Sequence, residues 1–155
     1  MGMFLLKVIN SLEKQGVRYA LVGGHAVALH GAVRGTIDLD FVIQLNEKAF
    51  KSVEQALFNI GLSPRLPVNA EDMFRFREEY IKNRNLIAWS FFNPNNPIEI
   101  VDIIITEDLQ KMKTIHKKVA GKNIRLISIP DLIVMKLKSN RPQDIEDIRA
   151  LEKLK

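Results

Sequence analysis

Residues 21–43 read LVGGHAVALHGAVRGTIDLDFVI, from Leu21 to Ile43. An apolar strand runs into Gly23 and Gly24, a short apolar helix follows, and a second strand carries Asp38 and Asp40. Side chains alternate between faces along a strand. Asp38 and Asp40 therefore share one face, while Ile37, Leu39, Phe41 and Ile43 share the other. Two close carboxylates repel, and one takes up a proton unless a cation lies between them. Mg²⁺ is a hard cation suited to oxygen ligands. A glycine turn beside a carboxylate pair thus points to chemistry on a metal-bound nucleotide.

Glycine lets the backbone approach a ligand closely, and a helix N-terminus offers N–H groups to phosphate. Gly23–Gly24 taken alone reads equally as a tight strand-to-helix turn. It is not the dinucleotide fingerprint, because GxGxxG is missing and the acids follow too soon for a ribose contact. Asp102 supplies a third acid within Ile98–Ile105, an almost unbroken aliphatic strand. An ionised carboxylate there needs a partner, either a metal ion shared with Asp38 and Asp40 or a buried lysine or arginine. If its strand neighbours the Asp38/Asp40 strand, the three carboxylates converge and can hold two Mg²⁺ ions. Arg34 reads either as a neutraliser of triphosphate charge or as a structural partner of a carboxylate.

Working outward, apolar residues at helical spacing predict a helix over residues 3–15, ended by Gly16. Strands are expected at Val17–Val22 and Thr36–Ile43, with a short helix over Gly24–Ala32 between them. Asn46 caps a helix over Glu47–Phe58, and residues 63–70 form a loop. Residues 73–85 read as helix or as an extended basic segment. Strands Leu86–Phe92 and Ile98–Ile105 flank the turn signal NPNNP. Residues 107–116 are expected to be helical, and Lys118–Ala120 and Ile124–Ile127 to form a hairpin. Ser128 starts a helix through Lys138, and Pro142 opens a last one with Ile145, Ile148 and Leu151 on a shared face.

The 155 residues are 46% hydrophobic and 26% charged, which suits one soluble α/β (α+β) domain spanning 1–155 with a mixed sheet flanked by helices. The absence of cysteine excludes disulfides, thiolate metal sites and cysteine nucleophiles. No apolar run approaches a membrane span, and the N-terminus lacks a basic leader; a cytoplasmic protein is expected. The net charge of +5 suits nucleotides or nucleic acid. Lys111, Lys113, Lys117, Lys118, Lys122 and Arg125 either track a phosphate backbone or simply solvate the surface. His30 and His116 read as structural, His25 as a possible nucleotide contact, and Trp89 and Phe91 as core.

The turn Gly23–Gly24, the helix around His25–Ala32 and the run Arg34-Gly-Thr36-Ile-Asp38-Leu-Asp40 resemble the polymerase-β-type nucleotidyltransferase superfamily. Within it, Arg-x-Thr-x-Asp-Leu-Asp and the later IPDLIVMKL and RPQDIEDIRAL resemble the AbiEii-like and minimal nucleotidyltransferases, a branch with abortive-infection toxins. The resemblance implies the nucleotidyltransferase fold, with Asp38, Asp40 and Asp102 as metal ligands and Asp102 also helping to deprotonate an acceptor hydroxyl. Gly23, Gly24, Arg34, Thr36 and Lys136 would bind the nucleotide, with Asp144 orienting Lys136. The implied cofactor is Mg²⁺, two ions, with Mn²⁺ able to substitute. The implied reaction is attack on the α-phosphate of an NTP, releasing pyrophosphate. The expected acceptor is tRNA or protein, within a toxin–antitoxin pair. Longer relatives carry a C-terminal helical domain, so an antitoxin or a homodimer partner is expected to complete the acceptor site. The alternatives are a small-molecule acceptor, as in antibiotic nucleotidyltransferases, and a non-catalytic nucleotide- or RNA-binding module.

Overall fold

The computed structural model describes every residue except Met1, Val33 and Arg34. Among the described residues the elements run α1 (Gly2–Lys14), β1 (Tyr19–Val22), α2 (Gly23–Leu29), β2 (Leu39–Ile43), α3 (Glu47–Asn59) and β3 (Ser63–Pro64). There follow α4 (Ala70–Arg75), α5 (Arg77–Arg84), β4 (Ala88–Asn93), β5 (Asn96–Ile104), β6 (Thr114–Val119), β7 (Lys122–Ile127), α6 (Ile129–Ser139) and α7 (Pro142–Lys153). The seven strands form one mixed sheet in the order β3-β4-β5-β2-β1-β7-β6. The β2–β5 and β1–β7 pairs are parallel and the others antiparallel. The α/β fold expected from the sequence is the one observed.

The core gathers on the central strands. Leu39, Phe41 and Ile43 of β2 are fully buried, as are Trp89 and Phe91 of β4. Trp89 stacks on Phe50 of α3 at 5.6 Å, and Phe91 meets Trp89 edge-on at 4.7 Å. Each such side chain contributes about 1.5–3 kcal/mol on burial, so the aromatic cluster fixes α3 against β4. The cap expected at Asn46 is present, its side-chain oxygen accepting from Ala49 N–H at 2.8 Å. Ser128 Oγ likewise accepts from Asp131 N–H, while the Asp131 carboxylate turns outward to Lys113 N–H at 2.7 Å.

Several expectations are corrected. The acidic strand starts at Leu39 and not Thr36: its antiparallel neighbour β1 turns into helix at Gly23 once Val22 has paired with Asp40, and pairing with β5 begins only at Leu39. Ile37 is accordingly 63% exposed and does not join the apolar face. Residues 107–116 are not a helix: a single 3-10 turn over Leu109–Lys111 gives way to β6. The hairpin is longer than expected, turning at Ala120 and Gly121 with φ of 50° and 80°, the two left-handed positions of a type I′ turn. Residues 70–84 form two short helices meeting at Phe76, and Ser63–Pro64 makes a brief edge strand. The Pro94–Asn95 turn joins β4 and β5 as expected. In α7, Ile145 is 45% exposed, and the inward stripe is Asp144, Asp147 and Leu151. Two aspartates occupy it because a buried lysine from α6 lies opposite.

Candidate active site

One row of residues crosses four adjacent strands: Val22 of β1, Asp40 of β2, Asp102 of β5 and Ser90 of β4. Side chains in register on neighbouring strands project to the same face, so both aspartates and the serine face one another. Ser90 donates to Asp102 Oδ1 at 2.6 Å, fixing that carboxylate. Asp40 lies directly opposite Asp102 in the parallel β2–β5 register. Gly23 follows Val22 and lies directly against Asp40. A Cβ built there would sit inside the van der Waals radius of Asp40 Oδ2, and its φ is +68°, a left-handed conformation suited to glycine. Gly24 stands over Thr36 less tightly: a Cβ there would come within 2.8 Å of Thr36 Cβ.

Burial is the main cause that pushes the Asp40 carboxyl up to about 8, followed by the Asp102 charge and hydrogen bond and by Asp38, with Lys136 opposing. Asp38, half-buried in the segment before β2, is raised by burial and then by Asp102, while Arg65 and His25 oppose. The three acids thus act on one another electrostatically. Asp38 lies outside the strand, and among the described residues no three acidic or histidine side chains close into a ready-made metal cage. A cation nevertheless fits the chemistry here. Two facing carboxylates, Asp40 and Asp102, offer hard oxygen donors, and the missing Gly23 side chain leaves Asp40 uncovered.

Lys136 is only 6% exposed and lies between the carboxylates of Asp147, at 2.9 Å, and Asp144, at 3.4 Å. Asp144 also receives Arg141 through its guanidinium, at 3.0 and 3.3 Å, and its backbone N–H, at 2.9 Å. Burial works to raise Asp144, but the Arg141 bonds and the Lys136 charge bring it below the ordinary range. Removing the ammonium leaves buried carboxylates uncompensated. Lys136→Met is expected to lower stability by about 3–5 kcal/mol, read as a shift in the urea midpoint at unchanged slope.

Arg34 lies outside the described residues. His25 is buried with Nε2 3.4 Å from the Ile37 carbonyl oxygen, and His30 Nε2 meets the Ile127 carbonyl oxygen at 2.8 Å. His116 is exposed on β6. Ser90, Arg65 and Asp147 were not singled out from the sequence. Ser90 alternates with the core residues Trp89 and Phe91, a signal that it faces the acids across β5. Arg65 is fixed beside it through its own N–H to the Ser90 carbonyl oxygen at 2.9 Å; no local pattern announces that contact. Cavities of about 490 and 460 Å³ lie elsewhere, around Phe74 and Arg77 and around Arg18 and Arg125. Neither is lined by Asp40 or Asp102.

Residues 4–154 match the family described as "Nucleotidyltransferase of unknown function (DUF6036)". No curated protein sequence matches the chain significantly. Solved structures do. The lincosamide antibiotic adenylyltransferase LnuA, bound to lincomycin, superposes with a TM-score of 0.66 at 16% identity, over 99% of this chain and 97% of that one. An antigenic nucleotidyltransferase-like protein from Paracoccidioides brasiliensis gives 0.61 at 18%, over 98% and 76%. ANT(2″)-Ia in complex with adenylyl-2″-tobramycin gives 0.63 at 14%, over 99% and 91%. At such identities the likeness is one of fold.

Proposed function

The chain belongs to this nucleotidyltransferase family, and from that premise we propose that it moves an NMP group from an NTP to a hydroxyl acceptor with Mg²⁺ at Asp38, Asp40 and Asp102. The observation that carries this reading is the pairing of Asp40 with Asp102 on parallel neighbouring strands, with Gly23 against Asp40. Mg²⁺, when bound, supplies charge neutralisation at the attacking and leaving oxygens. Asp38 and Asp40 hold the triphosphate side of the site, and Gly23 and Gly24 bring backbone close to it. Asp102, fixed by Ser90, receives the proton of the acceptor hydroxyl. Arg34, Thr36 and Lys136 complete the nucleotide contacts, with Asp144 behind Lys136.

We propose RNA, tRNA above all, as acceptor. From Leu109 to Arg125 there are six lysines and arginines and no acid, against a net charge of +5 for the whole chain. The cationic excess is therefore concentrated on β6, β7 and the segment before them, where Lys117 and Lys118 are exposed. The K117E/K118E double variant is expected to lose RNA binding more than tenfold at low salt, with a shallower salt dependence, while keeping Mg-NTP binding. Unchanged RNA binding would remove the basic strands as an RNA surface, and with them the support for RNA as acceptor.

The second reading is a small-molecule acceptor, favoured by the near-complete mutual coverage with LnuA. Incubation with each α-labelled NTP, Mg²⁺ and either total tRNA, cell protein or an aminoglycoside and lincosamide panel separates the acceptors. Label on none of them, without Mg-NTP binding, would defeat the reading and favour a non-catalytic module. The toxin role rests on sequence resemblance to the AbiEii-like branch. Growth arrest on expression, absent in Asp40→Ala, supports it, and unimpaired growth counts against it.

A further inference from the structure

The row that holds the acids continues past Ser90. β3 and β4 pair antiparallel, with Ser63 opposite Phe92 and Pro64 opposite Phe91. Arg65, next after β3, therefore falls opposite Ser90, and its N–H donates to the Ser90 carbonyl oxygen at 2.9 Å. Side chains in register share a face, which puts Arg65 on the face of Asp40, Asp102 and Ser90. Its guanidinium agrees: it lies over the ring of Phe92, 5.9 Å from the centroid. Phe92 stands two residues beyond Ser90 and hence on that same face. Among the described residues the guanidinium makes no ion pair, so its charge is available to a ligand.

The acid face is open from Asp102 outward. On β4 and β5, Ser90, Phe92, Ile100 and Asp102 are half-buried and Ile98 is 64% exposed. Trp89, Phe91, Val101 and Ile103, on the other face, are buried. Towards β1 the acid face is closed: Val22, Ala20 and Val42 are buried, where α2 packs on β1 and β2. Gly23 and Gly24 thus lie on the covered side of the acids. The uncovered side adjoins Asp102, the residue that receives the acceptor proton in the function proposed above. It offers an aromatic ring, aliphatic side chains and a guanidinium. A base can stack on such a ring, and a phosphodiester can take two N–H bonds from an arginine. A polycationic acceptor would meet the guanidinium at like charge.

We propose that this open face of β4 and β5 is the acceptor subsite, and that Arg65 sets its specificity by binding the phosphodiester next to the reacting hydroxyl at the 3′ end of an RNA strand. Two strand spacings, about 10 Å, separate Arg65 from Asp102 across the sheet, which leaves room for one nucleotide between guanidinium and carboxylate. The terminal 3′ oxygen bonds to the α-phosphorus of the NTP, the bond from that phosphorus to pyrophosphate breaks, and the hydroxyl proton passes to Asp102. This rests on the function proposed above and gives its RNA acceptor a place on the sheet. Lys117 and Lys118 lie at the far edge, on β6, and serve other parts of the strand.

The probe is a diribonucleotide with a free 3′ hydroxyl, its single phosphodiester either natural or replaced by an uncharged methylphosphonate. The β6 edge, four strand spacings or about 19 Å from Asp102, is beyond its reach. Label transfer from each α-labelled NTP is measured as kcat/KM for the wild type, Arg65→Ala and Arg65→Lys, each confirmed folded by near-UV circular dichroism. The wild type should favour the natural diester at least tenfold. That preference should vanish in Arg65→Ala and survive in part in Arg65→Lys, which keeps the charge but not the planar fork. The lysine variant decides the matter if the alanine variant fails to fold. Independently of turnover, the natural probe should shift the amide resonances of Ser90, Phe92 and Ile100 in ¹⁵N-labelled wild type, and the methylphosphonate should not. An equal preference in wild type and Arg65→Ala, or a weakened Mg-NTP affinity in Arg65→Ala, would overturn the proposal. So would a wild type that binds Mg-NTP but puts no label on the probe, and label on an aminoglycoside or on protein would then keep the transferase with another acceptor. Without Mg-NTP binding, amide shifts that depend on Arg65 would overturn the proposed function and keep the subsite, whereas no shifts would overturn both.

Discussion

Asp40→Asn is expected to lower label transfer by about a thousandfold or more, because it removes one of two facing carboxylates on which metal-assisted phosphoryl chemistry depends. The same change should make the metal-free protein more stable at neutral and alkaline pH. The ordinary aspartate value is 3.8, and burial beside Asp102 pushes Asp40 up to about 8. A carboxyl raised in this way is bound to its proton more tightly in the folded state than in the unfolded one. Its contribution is fully present below about pH 4 and is lost progressively as pH rises towards 8. Thermal melts of wild type and Asp40→Asn should coincide near pH 4 and separate between pH 4 and 8, the variant melting higher. Mg²⁺ should narrow the gap at pH 8 by compensating the ionised pair in the wild type alone. Parallel profiles over the whole range would mean that the carboxyls ionise without mutual cost, and the cation site would lose its electrostatic basis.

Much of this site was legible because its parts lie in short, strongly patterned segments. Asp-x-Asp next to Gly-Gly announces itself locally, and an aspartate within the aliphatic run around Asp102 is conspicuous whatever surrounds it. That β2 and β5 are neighbours was only a condition in the sequence; the register Asp40 against Asp102 is a tertiary fact. Period-two reasoning failed at Ile37 because the strand begins only at Leu39, where its pairing with β5 starts, and β1 has by then turned into helix. It failed in the opposite sense at residues 114–116. There alternation lay hidden under lysines, whose composition looked helical, and pairing with β7 overrode propensity. In α7, of the apolar residues Ile145, Ile148 and Leu151 that share a face, Leu151 and Ile148 pack on the core while Ile145 is exposed. The stripe of Asp144, Asp147 and Leu151 has equally good helical spacing, but its meaning depends on Lys136 arriving from another helix. Buried ion pairs invert the rule that polar residues face out, and no single segment carries both halves of the pair.

Gly23→Ala is the second large effect, and two independent causes act together. Residue 23 has φ of +68°, where an L side chain costs about 1–2 kcal/mol. The new methyl would also overlap the Asp40 carboxylate, and relieving overlap in a packed interior costs about 1–3 kcal/mol more. Set against a typical stability of about 5–15 kcal/mol, the variant should still fold, with a markedly lower urea midpoint. Its transfer activity should fall by about a hundredfold or more, because the least costly way to relieve the overlap is to rotate Asp40 away from Asp102, and small misplacements at a reacting centre carry penalties of that size. Gly24→Ala is the control. Its φ is not in the left-handed region, and its methyl meets Thr36 in an irregular segment that can yield. It should cost about 1 kcal/mol and act mainly on KM for the NTP. Comparable kcat losses in the two variants would show that the turn serves as a unit. A large loss confined to Gly23→Ala would identify the missing side chain at residue 23 as what keeps Asp40 open to its cation.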